Sequence, residues 1–410
     1  MENASPAASL SFTPYQKFVI AILAFLQFTI ILDFMILSPL GAILMPALNI
    51  TTAQFGTVVS AYAISAALSG FLTAGFADKY DRKKLLLFFY TGFIVGTLLC
   101  GLAPTYHFLL GARIVTGLFG GVIGSIVMAI TADLFPIQQR GRVMGFMQTA
   151  FAASQVLGLP VGLFLSDKWG WHMPFIMIVV VSVIAGGFIV VYMKPITGHL
   201  SLQTDKKAYD HLLHTMKVPQ YVLAFATTAL LSIGGFMIMP FASAFTVNNM
   251  GIPNSQLPMI YLVTGLASIL IGPLVGKAAD SFGKYNTFAF GTILSIVMVL
   301  IYTHLGITPL YLVILVNTVM FIGIFSRMIP SQALMSAIPT PANRGAFMSV
   351  SASLQQLAGG VGSIVSGMIV VQETSGVIRH FDIVGYVMAG IAFSTLLMMY
   401  SINRSIAQSK

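Results

Sequence analysis

Apolar runs of about twenty residues recur from one end of this chain to the other, and that recurrence limits its possible folds more than any other feature. A helix rising about 1.5 Å per residue needs roughly 20 residues to cross a hydrocarbon layer about 30 Å thick. Twelve such runs are predicted, near residues 17–39, 52–75, 85–104, 107–133, 142–166, 171–193, 218–247, 256–279, 286–304, 309–337, 344–371 and 380–403. Helices are expected because a segment in hydrocarbon must satisfy its own backbone hydrogen bonds, and no ten-residue alternation suggests a barrel. The 410 residues are 57% hydrophobic and 8% charged, a balance that does not keep a soluble globule of this size dispersed, so lipid is the expected solvent for most of the surface.

The net charge of +9 follows the loops. With both termini inside, sixteen cations fall on the cytoplasmic side: Lys17, Lys79, Arg82, Lys83, Lys84, Arg140, Arg142, Lys194, Lys206, Lys207, Lys217, Lys277, Lys284, Arg344, Arg404 and Lys410. Only Lys168 and Arg379 fall outside, while Arg113 and Arg327 lie within spans. This asymmetry is the positive-inside rule, and it leaves no basic face for nucleic acid. The opening MENASPAASLSFTPYQK has no basic stretch before the first apolar run, and that run is too long for a signal peptide, so the first helix is expected to stay in the mature protein. The single cysteine, Cys100, excludes an internal disulfide and is expected to pack or to face lipid.

The longest polar interruption, residues 194–217, divides the chain into an expected N-terminal six-helix bundle (1–193), a cytoplasmic linker and a C-terminal six-helix bundle (218–410). Asp210, His211 and His214 in the linker have metal-ligand chemistry, but a short amphipathic helix with a solvated face explains them, and no metal is expected. The halves repeat each other. Ala74-Gly-Phe-Ala-Asp78-Lys-Tyr-Asp81-Arg82-Lys83 follows the second run, and Gly276-Lys-Ala-Ala-Asp280-Ser-Phe-Gly283-Lys284 follows the eighth, with Asp78 and Asp280 separated by 202 residues. Pro136 precedes Arg140-Gly141 and Pro341 precedes Arg344-Gly345, a spacing of 204 between the arginines. Duplication of this kind builds many transporters.

These segments resemble the signature of the major facilitator superfamily, whose loop between spans two and three reads G-x-L-A-D-r-x-G-R-K. The second copy fits it; the first departs at Ala74 and Asp81. The resemblance implies two pseudo-symmetric six-helix bundles, an all-α membrane fold of twelve transmembrane helices, with Asp78, Arg82, Asp280 and Lys284 gating the cytoplasmic side. Charge pairing at helix ends makes that role physically sensible, with an ordinary solvated turn as the alternative. Leu109-Leu-Gly-Ala-Arg113-Ile-Val-Thr-Gly117 is similar to the family's conserved-arginine motif linked to proton transfer. Gly158-Leu-Pro160-Val-Gly162 is a shortened relative of the antiporter branch's Gly-Pro motif, and WGWHMPF (169–175) resembles the corresponding loop of sugar-efflux and multidrug-efflux members.

Of eleven acidic residues, Asp33 alone lies well inside a run, sixteen residues and about 24 Å of helix beyond Lys17. An intramembrane carboxylate costs several kcal/mol unless paired, hydrated or protonated, and such residues usually face a pathway. Asp33 is therefore read as a protonatable coupling or substrate carboxylate, with a structural ion pair as the alternative. Arg113 is read as its tuning partner or as a buried brace, and Arg327 as a substrate-facing charge. The resemblance implies that spans one, four, seven and ten line a central cavity; three charges there would sum to +1 and favour anionic or zwitterionic cargo. Asp133 is expected to pair with Arg140 or Arg142. Gln148, Gln155, Asn317, Gln355 and Gln356 sit within spans, available to cargo or to a neighbouring helix. His172 and His304 are expected near external span ends.

The leading functional expectation is a proton-coupled antiporter that exports small organic molecules by alternating access, a monomer in a prokaryotic inner (plasma) membrane with both termini cytoplasmic. Uptake or facilitated exchange of one metabolite is the alternative on the same fold; a channel or membrane enzyme is a remote one. No HExxH, GxSxG, P-loop or GxGxxG segment occurs, and no cofactor is expected beyond the proton as coupling ion.

Overall fold

The structure, a computed structural model, describes residues 11–73, 79–198, 200, 218–339 and 344–408. Their helices are α1 (Pro14–Ile36), α2 (Gly41–Leu48), α3 (Thr52–Thr73), α4 (Arg82–Gly101), α5 (Tyr106–Leu134), α6 (Ile137–Ala153), α7 (Leu159–Trp169), α8 (Met173–Tyr192), α9 (Pro219–Asn248), α10 (Leu257–Ser281), α11 (Lys284–Thr303), α12 (Leu310–Ala337), α13 (Arg344–Ile369) and α14 (Phe381–Gln408). A two-residue hairpin, β1 (Val371–Gln372) paired antiparallel with β2 (Ile378–Arg379), joins α13 to α14.

They make twelve transmembrane helices, numbered here as spans. Span one is α1, and spans two, three and four are α3, α4 and α5. Span five is α6 with α7, span six is α8, and spans seven to twelve are α9 to α14. Eleven have the length and apolarity to cross a membrane. Span eleven is 26 residues long but carries Gln355, Gln356 and several serines and glycines, which lower its hydropathy. It packs between spans two and seven, so these polar groups need not all meet lipid. Spans one to six form one bundle and spans seven to twelve the other.

Two helices depart from the sequence expectation. Span one does not run unbroken to residue 39: α1 ends at Ile36, and the chain turns into α2, which contains Pro46 and ends on Asn49 in the left-handed region (φ 50°). Asn tolerates that conformation better than most residues. Span five is interrupted by a π-helical turn, Ser154–Gly158, in which the Leu159 amide donates to the Ser154 carbonyl. Pro160 has no amide to continue the α ladder, and a π-turn absorbs that break.

The end of the molecule carrying Lys17, Lys83, Arg140 and Arg404 is the basic end. At the opposite end the bundles close on each other. Thr52 Oγ1 donates to the Val370 carbonyl at 2.5 Å, and Ser243 Oγ to the Ser38 carbonyl at 3.1 Å. Phe55 meets Phe241 and Phe34 meets Phe236, with ring centroids 5.8 and 5.6 Å apart. At Gly56 a β-carbon would lie 2.6 Å from the Ser363 carbonyl oxygen, so only glycine permits this approach of spans two and eleven. No described residue of span one between Leu26 and Leu40 is exposed, whereas Lys17, Ala21 and Phe25 form an exposed stripe toward the basic end. Spans two and eleven stay close to the basic end, where Phe71 packs beside Tyr221, Phe225 and Phe347.

Candidate functional site

Asp33 sits one turn from the end of α1, and its side chain is fully buried. Arg113 of span four donates from Nη1 to Asp33 Oδ2 at 2.7 Å and to the Asp33 carbonyl at 3.4 Å. Thr97 of span three donates to Oδ1 at 3.1 Å. The guanidinium lies 4.7 Å from the centroid of the Tyr62 ring in span two, a cation–π distance, and its Nε has no partner among the described residues. Four helices thus converge on one charge pair with no water-exposed atom to speak of, the side chains being 1% and 0% accessible. Burying two charges is costly, and close geometry with further hydrogen bonds is what offsets the desolvation. Cys100 is buried nearby, its thiol 3.7 Å from Thr116 Oγ1, and it packs the helix interior, not the lipid face.

The pair lies one aromatic contact from the bundle interface. Tyr62, under the guanidinium, meets Phe34 at 5.3 Å, and Phe34 meets Phe236 of span seven. Span five packs against the same stretch of span one. Ser154 Oγ donates to the Phe28 carbonyl at 3.1 Å, Gly158 faces Leu32, and Gly162 faces Ile36. Residues 28, 32 and 36 are one helical stripe, so the π-turn and the Gly-Pro segment fix the face of span one that adjoins Asp33.

Arg327 does not join the pair. It is 7% exposed, and its Nε and Nη2 atoms find no partner among the described residues. Arg327 lies seventeen residues into α12 from the opposite end and Arg113 seven into α5, so the two differ by about 15 Å in depth at 1.5 Å per residue. The three charges expected around one cavity are therefore a neutral pair in one bundle and a lone cation in the other.

A model of the Major Facilitator Superfamily matches residues 23–363 and again 224–405. The chain belongs to this superfamily. It is 28% identical over 377 residues to the MFS-type transporter YceJ of Bacillus subtilis (strain 168), covering 90% of this chain and 94% of that protein. Multidrug resistance protein 3 of the same organism is 31% identical over 152 residues, 37% of this chain and 30% of that protein. A crystal structure of a bacterial homologue of the human lysosomal transporter Spinster superposes with a TM-score of 0.72 at 16% identity, covering 97% of this chain and 96% of that one. The chain is a multi-pass membrane protein with the fold of superfamily transporters.

Within this superfamily member the basic-end motifs take shape around Asp81 and Arg82. Asp81, the departure from the signature, caps α4: its carboxylate accepts from the Lys83 amide at 2.8 Å and from the Ile196 amide at 3.1 Å, tying the loop to the segment after span six. Arg82 Nε pairs with Asp133 Oδ2 at 3.0 Å. The expectation that Asp133 pairs with Arg140 or Arg142 is thus corrected. Arg140 turns back to the carbonyls of Phe135 (3.0 Å) and Ala132 (2.6 Å), and Arg142 lies over the Phe12 ring. The Ala132 carbonyl meets no amide at Pro136, and with the Phe135 carbonyl beyond the helix end it draws Arg140 away from the carboxylate. Asp78 and the linker's Asp210, His211 and His214 lie outside the described residues, as do the side chains of Gln148 and Arg344. Asp280 and Lys284 are exposed and make no ion pair among the described residues; Gly283 between them (φ 92°) provides the tight turn.

The polar candidates separate. Gln155 is buried in the π-turn, where its backbone faces Gly265 of span eight across the bundle interface. Asn317 donates to its own helix at the Val313 carbonyl. Gln355 is exposed and Gln356 half-buried. Thr97, Tyr62 and Phe34 were missed as site residues. A threonine within an apolar run was the only signal for Thr97, and nothing in the sequence marks the two aromatics among 31 Phe and 14 Tyr. Outside the spans, His172 stacks on Trp171 at 3.8 Å, and partial burial lowers its pKa below the usual histidine value.

Proposed function

We propose that this chain is a proton-coupled antiporter that exports small organic molecules by alternating access, with anionic or zwitterionic cargo favoured. The observation that carries the reading is the buried Asp33–Arg113 pair and its one-contact distance from the bundle interface. A proton on Asp33 converts an ion pair into a neutral acid beside a guanidinium. The 2.7 Å bond then loses its charge-assisted character, and Arg113 is free to favour another arrangement over the Tyr62 ring. Tyr62 and Phe34 transmit that change to Phe236, so proton occupancy biases which end of the bundles is closed.

The basic loops put the basic end in the cytoplasm, with both termini. In that orientation the end where Thr52 bonds the Val370 carbonyl and Ser243 the Ser38 carbonyl faces outward. Efflux draws support from the Gly-Pro segment against span one and from the partial likeness to Multidrug resistance protein 3. Uptake or exchange of one metabolite uses the same fold and differs in its response to the proton gradient.

The test is transport by purified protein in liposomes under an imposed pH gradient, with anionic, zwitterionic and cationic compounds. Expulsion from the high-pH compartment toward the low-pH one, lost when the gradient collapses, supports antiport. Accumulation in the same direction as the protons overturns the export reading, and transport indifferent to the gradient overturns proton coupling.

A further inference from the structure

Eleven carboxylate side chains are all that the whole sequence offers to neutralise a cation, and only Asp33 lies deep within a span. Asp33 already holds Arg113 and Thr97. Arg327 is left 93% out of solvent, with two nitrogens unbonded and no carboxylate, carbonyl or aromatic face supplied by the described residues. A buried guanidinium in this condition is retained against a desolvation cost, and a brace between helices would show partners. Its helix face is otherwise apolar or small, with Met320 and Gly323 on one side and Pro330 and Leu334 on the other.

We propose that Arg327 is the cargo-recognising group of the C-terminal bundle and takes a small organic monoanion with an apolar body. Recognition and proton coupling are thereby divided between bundles: the anion's acid group meets Arg327, and the proton meets Asp33, about 15 Å away in depth by helix rise. The assignment rests on the transporter reading but not on the direction of transport or on proton coupling. The neutral Asp33–Arg113 pair makes no net demand on cargo charge, so the preference for one negative charge comes from Arg327 alone. A monoanion fills the two open donors of the fork bidentately, which Lys cannot reproduce.

The test is thermal unfolding of the purified full chain in detergent at constant ionic strength, as chloride is replaced by hexanoate or benzoate, with hexanamide and benzamide as uncharged partners. The expected result is a rise in midpoint with the acids and none with the amides, by ligand linkage to the folded state. Arg327→Gln is expected to lose that rise while keeping an anion-free midpoint equal to or above the native one. Arg327→Lys keeps part of the rise. The assignment is overturned by the absence of an anion-dependent rise in the native chain, or by an equal rise in Arg327→Gln. It is also overturned by a fall in the anion-free midpoint of both Arg327 variants, which marks a brace. Phosphatidylglycerol added to the delipidated protein is the remaining arm: a rise that needs Arg327 and that only the lipid produces reassigns the site to a headgroup. Because this is an equilibrium readout, it can fail while gradient-driven transport survives, or hold while coupling fails.

Discussion

Replacing Arg113 with Met isolates what the buried pair contributes. The substitution keeps a long apolar stem but leaves the Asp33 carboxylate fully buried with one remaining side-chain donor, Thr97 Oγ1 at 3.1 Å. No solvent is close enough to replace the lost 2.7 Å bond, since both side chains are at most 1% accessible. Removing one member of such a pair costs about 3–5 kcal/mol. Asp33→Asn strands the guanidinium instead, and the Tyr62 ring 4.7 Å away offsets up to about 2 kcal/mol of that loss. The double variant Asp33→Asn with Arg113→Met removes both charges and is expected within about 2 kcal/mol of the native chain. The pair should therefore show a coupling energy of roughly 3 kcal/mol in a double-mutant cycle. Denaturant-induced unfolding of the purified protein in mixed micelles reads these differences. An Arg113→Met variant within about 1 kcal/mol of native, or a double variant as unstable as the sum of the singles, would show that the two charges do not depend on each other.

Gly117→Val places a side chain against the Tyr62 carbonyl and Ser65 Oγ in span two; overpacking there is expected to cost about 1–3 kcal/mol, read by the same unfolding assay. Arg82→Gln removes a charged hydrogen bond between spans three and four at the basic end and should cost about 1–3 kcal/mol, read by the same unfolding assay. In the hairpin, Arg379 bonds Glu373 at 2.7 Å and holds its carboxyl below the usual glutamate value. That support is present above the unfolded pKa of about 4.3 and is lost as pH falls through the lower folded value. Protection of the Gly376 and Glu373 amides, taken relative to the unstructured exchange rate at each pH, should therefore fall in acid in the native chain, and Glu373→Gln should show the lower protection already at neutral pH.

The membrane fold was legible because hydrocarbon imposes a length and an apolarity that few other constraints mimic, and the loop cations added orientation. Span eleven shows where that signal weakens: Gln355 and Gln356 are tolerated in a helix packed between spans two and seven. The presence of Asp33 and Arg113 within spans was readable from their positions alone. Their union was not, because helix register and rotation in the bundle decide it. Sequence proximity misled for Asp133, which is nearer in the chain to Arg140 but nearer in space to Arg82. The break in span one and the π-turn at Ser154–Gly158 depend on how Pro46 and Pro160 are accommodated, and a hydropathy profile does not record that.

In the proposed mechanism a proton on Asp33 couples cargo movement to the gradient. The most direct measurement compares two activities of Asp33→Asn in liposomes: exchange of labelled for unlabelled cargo at equal pH, and cargo movement driven by an imposed pH gradient. Exchange should persist while gradient-driven movement is lost. Gradient-driven movement equal to that of the native chain would contradict it and leave Asp33 as a structural partner of Arg113.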